Sequence, residues 1–188
     1  LDGANLAYER SGSGYPVVRV GKFLTHLEYD WQSPIWRPWL DNFSRFHSFY
    51  RYDVRGCGLS DRTVANISLE TLLNDIGTIV DAAGLERFAL FGMSQGAAAA
   101  IWYAVHNPER VSHVIVYGGY LYGSEHLDPN SSKYADHLLS KQIFKLGWAT
   151  DNPAYQRMFP IKLLPDGTTE QIKWMSDLQR ASTDGDNA

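Results

Sequence analysis

The chain has 188 residues, 44% of them hydrophobic and 13% aromatic, with a formal net charge of −4. This is enough for one globular domain with a sizeable core, or for most of a larger one, and no basic block or aromatic-basic interleaving points to nucleic acid or an acidic membrane surface. The longest apolar run, which contains 97–104 and ends before His106, falls far short of the roughly 20 residues that cross a bilayer, so a soluble protein without membrane contact is expected, with the cytoplasm as default location.

In chain order, Asp2-Gly3 has the character of a hairpin turn and Ala4 to Glu9 that of its returning strand, whose partner is expected before Leu1. Tyr15 to Gly21 reads as a buried strand. It leads into a loop from Lys22 to Ser33 that is crowded with His26, Glu28, Tyr29, Asp30 and Trp31. Trp36, Trp39, Leu40 and Phe43 recur at helical spacing and predict a helix from Ser33-Pro34 to about Arg45, its aromatics read as core. His47 to Val54 follows as a strand. The glycine-rich run Asp53 to Ser60 comes next and lacks the Gly-x-Gly-x-x-Gly spacing of a phosphate loop, so Asp53 and Arg55 are expected to fix its turn. Cys57, the single cysteine, lies in that run; it excludes an internal disulfide and supplies no metal cluster.

Ser68 is a helix N-cap, Leu69, Leu72, Leu73, Ile76, Ile79, Val80 and Ala83 mark one helical face, and Gly84 closes the helix. Arg87 to Phe91 reads as a strand, Gln95 to about His106 as a helix stopped at Asn107-Pro108, and Val111 to Tyr117 as another buried strand. After that, Ser132 to Trp148, Asn152 to Phe159 and Thr168 to Ser182 read as helices, and no buried strand is expected beyond Tyr120.

The chemistry concentrates in Gly92-Met93-Ser94-Gln95-Gly96, a Gly-x-Ser-x-Gly set between a strand and a helix. A turn this tight strains the serine backbone, and glycines two residues to either side make room for the neighbouring strand and helix. The hydroxyl of Ser94 then projects clear of the sheet. The amide of Gln95, at the helix N-terminus, can point at a developing oxyanion.

Strands alternating with helices to residue 117 argue for an α/β fold with a mostly parallel sheet and helices on both faces. Three motifs together narrow this: Asp53-Val54-Arg55-Gly56-Cys57-Gly58-Leu59-Ser60, Gly92-Met93-Ser94-Gln95-Gly96 and Asn107-Pro108-Glu109-Arg110-Val111. On these the chain resembles the α/β-hydrolase fold, and looks like bacterial hydrolases of esterase type, either single-domain or fused to regulators. The resemblance implies a core over residues 1–118 and a helical cap or lid over 119–188, with the last core strands lying outside this chain. It makes Ser94 the nucleophile and Gln95 one oxyanion-hole amide. The family's usual His-Gly after the third strand is Val20-Gly21 here, leaving Lys22 or Phe23 as the second donor. Family order then calls for an acid and a histidine after core strands that follow the cap. Glu125 or Asp128 with His137 would keep that order but fall in the expected cap, so the acid and base are expected beyond Ala188, in a longer protein.

The reading is a serine hydrolase acting on a small ester or related acyl substrate, with no metal or organic cofactor and no nucleic acid contacted by this chain. Trp31 and Tyr120 are its candidate pocket residues. An alternative is a ligand-binding or sensory domain that borrows the fold and is attached to a signalling or transcription regulator.

Overall fold

The computed structural model describes residues 3–120, 122–123, 126–149 and 152–184. Five strands form one sheet: β1 (Tyr8–Ser11), β2 (Tyr15–Val20), β3 (His47–Tyr52), β4 (Phe88–Met93) and β5 (Val111–Tyr117), in the spatial order β1-β3-β2-β4-β5. Only β1 runs antiparallel; the other pairs are parallel. The central strands are apolar on both sides, as a sheet covered on both faces requires. Val17 is aligned with Phe49 and Ala89 on one face, and Val18 with Tyr50 and Leu90 on the other. The first row packs against Trp36, Trp39, Leu40 and Phe43, from and beside α2 (Arg37–Phe46). The second row packs against α3 (Leu69–Ala82) and α4 (Gln95–His106) through Ile76, Ile79, Ala99 and Tyr103. The fold is therefore the mostly parallel α/β sheet with helices on both faces that the sequence pattern predicts.

Local chemistry sets most element ends. Ser68 accepts from the Thr71 amide while the Thr71 side chain answers the Ser68 amide, a reciprocal cap at the start of α3. Three elements near the N-terminus differ from expectation. The loop after β2 contains a short helix, α1 (Leu27–Trp31), capped by His26, whose Nδ1 accepts from the Tyr29 amide. The helix expected from Ser33 begins at Arg37, because the Ser33 hydroxyl accepts from the Ile35 and Trp36 amides and holds a separate turn first. The first strand is Tyr8–Ser11 rather than Ala4 to Glu9, and Asp2 lies outside the described residues.

The C-terminal part is helical as expected: α5 (Ser132–Ala149), α6 (Pro153–Leu163) and α7 (Thr169–Ser182). α6 runs past its expected end at Phe159 and straight through Pro160. Proline there cannot bond the Gln156 carbonyl, and the Ser176 hydroxyl of α7 donates to it instead, at 3.4 Å. One expectation fails: β5 is a strand, but Val114, Ile115, Val116 and Tyr117 are exposed. β5 is the last strand of this sheet, so no strand covers its outer edge among the described residues. No described helix is long and apolar enough to cross a membrane.

Candidate active site

β4 is buried along its whole length and α4 begins two residues after its end, so the chain reverses at Ser94 alone. Ser94 takes φ 54 and ψ −128, a left-handed conformation that a residue with a Cβ rarely adopts. Its backbone is fixed on both sides: the Ser94 amide donates to the Tyr117 carbonyl of β5 at 3.1 Å, and its carbonyl accepts from the Ala97 amide at 3.0 Å. The flanking glycines are required by space. A Cβ at Gly92 would stand 2.7 Å from the Ala97 α-carbon, and one at Gly96 would stand 2.7 Å from the Gly21 carbonyl oxygen.

The half-buried Ser94 opens on a cleft of about 490 Å³. The loop after β2 forms one wall with Lys22, Phe23 and Leu24, the approach to α2 another with Ile35, Trp36 and Trp39. Met93, Gln95, Tyr117 and Tyr120 complete the floor, and Phe159, Leu163, Leu164 and Met175 lie over it from α6, the turn after it and α7. The Phe159 ring meets Phe23 edge-on at 6.0 Å. Trp39 stacks on Phe91 at 6.1 Å and meets Tyr117 edge-on at 5.0 Å, so part of the cleft wall is also core.

The candidate oxyanion donors converge on the same place. Gln95, Lys22 and Phe23 all line the cleft with Ser94. Among the described residues the amides of Gln95 and Lys22 donate to no acceptor, the condition an anion-binding pair of N–H groups needs. The Lys22 side chain, which sequence reasoning passed over, is buried in the cleft wall. Its Nζ donates to the Leu24 carbonyl at 3.0 Å and lies 4.7 Å above the Trp36 ring. Burial lowers its pKa to about 8.

Tyr120 lines the cleft as expected; Trp31 does not. Its indole donates to the Glu9 carboxylate at 3.0 Å, and the Arg51 guanidinium sits over its ring at 5.3 Å. Glu9 in turn pairs with Arg51, so Trp31 belongs to a buried ion network, while Trp36 and Trp39 supply the cleft's tryptophans. At the centre of that network Asp30 Oδ2 accepts from Arg19 at 3.0 Å and from Arg51 at 2.9 Å. Asp53 fixes its loop as expected, accepting from the Leu27 and Leu59 amides. Arg55 instead reaches across to Asp75 of α3. Cys57 is buried, which pushes its thiol up and keeps it protonated.

Among the described residues no histidine lines the cleft. His26 is spent on its cap, His137 lies on α5 away from Ser94, and Asp128 accepts from the Asn130 amide in a local turn. Glu125 lies outside the described residues.

Comparison with known proteins bears on the fold. An amphibian protein, epoxide hydrolase 3 of Xenopus tropicalis, is 29% identical over 141 residues, covering 73% of this chain and 34% of its own length. 3-oxoadipate enol-lactonase 1 of Acinetobacter baylyi is 29% identical over 82 residues, covering 44% of this chain and 30% of its own. The crystal structure of a hydrolase from Pseudomonas aeruginosa superposes with a TM-score of 0.72 at 21% identity, over 99% of this chain and 66% of that one. The chain thus spans about a third of the length of these curated relatives and two thirds of that structure. The family model for the alpha/beta hydrolase fold matches residues 26–169, from the cap of α1 through the serine turn to the start of α7, and the chain belongs to that family.

Proposed function

We propose that this protein hydrolyses a carboxylic ester or related acyl substrate through an acyl-enzyme on Ser94. The observation that carries the reading is the strained Ser94 backbone, φ 54, placed in a cleft with two amides that lack acceptors among the described residues. A binding module has no use for such strain. Ser94 Oγ attacks the carbonyl carbon and gives its proton to a base, and the oxyanion is met by the Gln95 amide and a second amide. Lys22 is favoured over Phe23 for that second role, since its amide donates to no acceptor among the described residues. Collapse expels the alcohol with the proton; water then attacks the acyl-serine ester, releasing the acid and restoring the hydroxyl. The base and its acidic partner come from outside the described residues, and α5 to α7 act as the lid over the cleft.

Relatives named for epoxide and for lactone hydrolysis leave two chemistries open. The serine favours the acyl one. Attack of a serine on an epoxide would leave an ether with no carbonyl for water to attack, whereas attack on an ester or lactone leaves an ester. The mostly apolar cleft is of a size suited to a small molecule.

The test is incubation with a fluorophosphonate probe, read by intact mass, with Ser94→Ala as control. Labelling confined to the wild type supports the reading. A wild type that stays unlabelled while binding small ligands in the cleft would replace it with a sensory or binding role.

A further inference from the structure

Lys22 is the single basic residue lining the cleft among the described residues, and its Nζ lies over the ring of Trp36, which lines it too. The residue is 7% exposed. Its ammonium has three N–H donors and uses one, on the Leu24 carbonyl, while its other neighbour is the face of Trp36. Leu24 itself is held at φ 60, the only non-glycine besides Ser94 with positive φ among the described residues. That strained turn presents the carbonyl that anchors the amine against the cleft wall.

No described carboxylate pairs with this cation. Asp30 Oδ2 is taken by Arg19 and Arg51 and Asp53 Oδ2 by the Leu27 and Leu59 amides, and both carboxylates act on the amine only across space. A buried cation without a direct ion pair is unfavourable, and such groups in clefts are candidates for ligand recognition. An anion entering the cleft is the direct ion-pair partner that the described residues do not supply.

We propose that Lys22 makes the Ser94 site selective for acyl substrates that carry an ionised carboxylate elsewhere in the molecule, by pairing its ammonium with that carboxylate. This deepens the serine-hydrolase reading and rests on it for the word substrate; the pairing itself does not need Ser94 to react. The groups whose charge bears on the amine are Asp30 on α1, Arg19 on β2, and Asp53 and Cys57 after β3. Burial pushes the Cys57 thiol up and the Lys22 amine down, to about 8.

Hexanoate and hexanamide, matched in length, are the probes, titrated calorimetrically against wild type, Ser94→Ala and Lys22→Met. At neutral pH the wild type is expected to bind hexanoate about tenfold tighter than hexanamide, the scale of a hydrogen bond to a charged group. Ser94→Ala keeps the preference, and Lys22→Met loses it. In the wild type the preference falls as pH rises past about 8, where the amine loses its proton, while hexanamide affinity stays level. Equal affinity for the two probes in the wild type, no hexanoate binding at millimolar concentration, or a preference that survives in Lys22→Met overturns the proposal. If Lys22→Met does not fold, the wild-type comparison and its pH dependence decide. A preference intact beside absent fluorophosphonate labelling removes the hydrolase reading and leaves the carboxylate site standing.

Discussion

The carbonyl oxygen of Gly21 faces Gly96 so closely that a Cβ added there would stand 2.7 Å from it, with the Val20 carbonyl at 3.1 Å. The end of β2 is thus seated directly on the first turn of α4, and this contact sets the Lys22 amide and the Gln95 amide around Ser94. Both obstructing atoms are backbone, so neither can rotate away. Gly96→Ala is expected to destabilise the fold by about 1–3 kcal/mol, the usual scale of overpacking. It should also slow fluorophosphonate labelling of Ser94 by parting the two amides. Urea unfolding and the labelling rate, measured on the same samples, check both; unchanged labelling in a folded variant would mean that the amide pair is not set by this contact.

Asp30 ties α1 to β2 and β3 through Arg19 and Arg51. It is fully buried between Arg19 and Arg51, with side-chain exposures of 4% and 0% for the two arginines. Asp30→Asn leaves Arg19 without its anion and Arg51 with Glu9 alone, and breaking a buried pair in this way costs about 3–5 kcal/mol. Arg19→Met combined with Asp30→Leu removes charge from both sides and is expected to lie closer to wild type than Asp30→Asn does. Denaturant midpoints of the three proteins provide the comparison.

Local signals carried most of what the sequence revealed. Ser68, the apolar face of α3 and Gly84 determine their helix through contacts within a few residues, and so do the glycines around Ser94. Failures came where distant residues decide. α1 is only five residues long and exists through the His26 cap and the buried Asp30 it presents to two arginines of the sheet. Trp31 looked like a pocket residue from its company in the loop, but Glu9, 22 positions earlier, claims its indole. The burial of β5 depends on what stands beside the strand, which an apolar run does not report. Lys22 reads as an ordinary loop lysine until the Leu24 turn and Trp36 close around it.

The Asp53 to Ser60 loop has a structural role the sequence did not suggest: it receives the end of α7. The Gly58 amide donates to the Ser182 carbonyl at 2.7 Å, the Thr183 hydroxyl donates to the Gly56 carbonyl at 2.8 Å, and Arg62 reaches the Ala181 carbonyl. Met175, which lies over the cleft, is on the same helix. Thr183→Val keeps the shape but leaves the buried Gly56 carbonyl without this donor, a loss of about 1–2 kcal/mol. Hydrogen exchange is expected to rise over 169–182 and stay level over α3. A uniform rise across the chain would show the contact to be a global support and not a local tether.

Lys22 places a cation where water is excluded, and the cost should be visible as pH-dependent stability. Burial lowers its pKa from the ordinary lysine value to about 8. Below about pH 8 both the folded and the unfolded chain carry the proton, and the cost of burying the charge is present in full. Between there and the ordinary lysine pKa, about 10.4, the unfolded chain binds a proton that the native state has shed, so wild-type stability gains from this group as pH rises. Lys22→Met removes the charge at similar length while giving up the Leu24 hydrogen bond and the Trp36 contact. The variant is expected to be more stable than wild type at neutral pH by about 1–3 kcal/mol, with the advantage shrinking as pH rises past about 8. Urea midpoints on either side of that pH measure it. A residue that lowers stability while facing a cleft is the pattern a binding role leaves. Equal stability at neutral pH would instead show the charge to be compensated in the free protein, against the unpaired ammonium on which carboxylate selection depends.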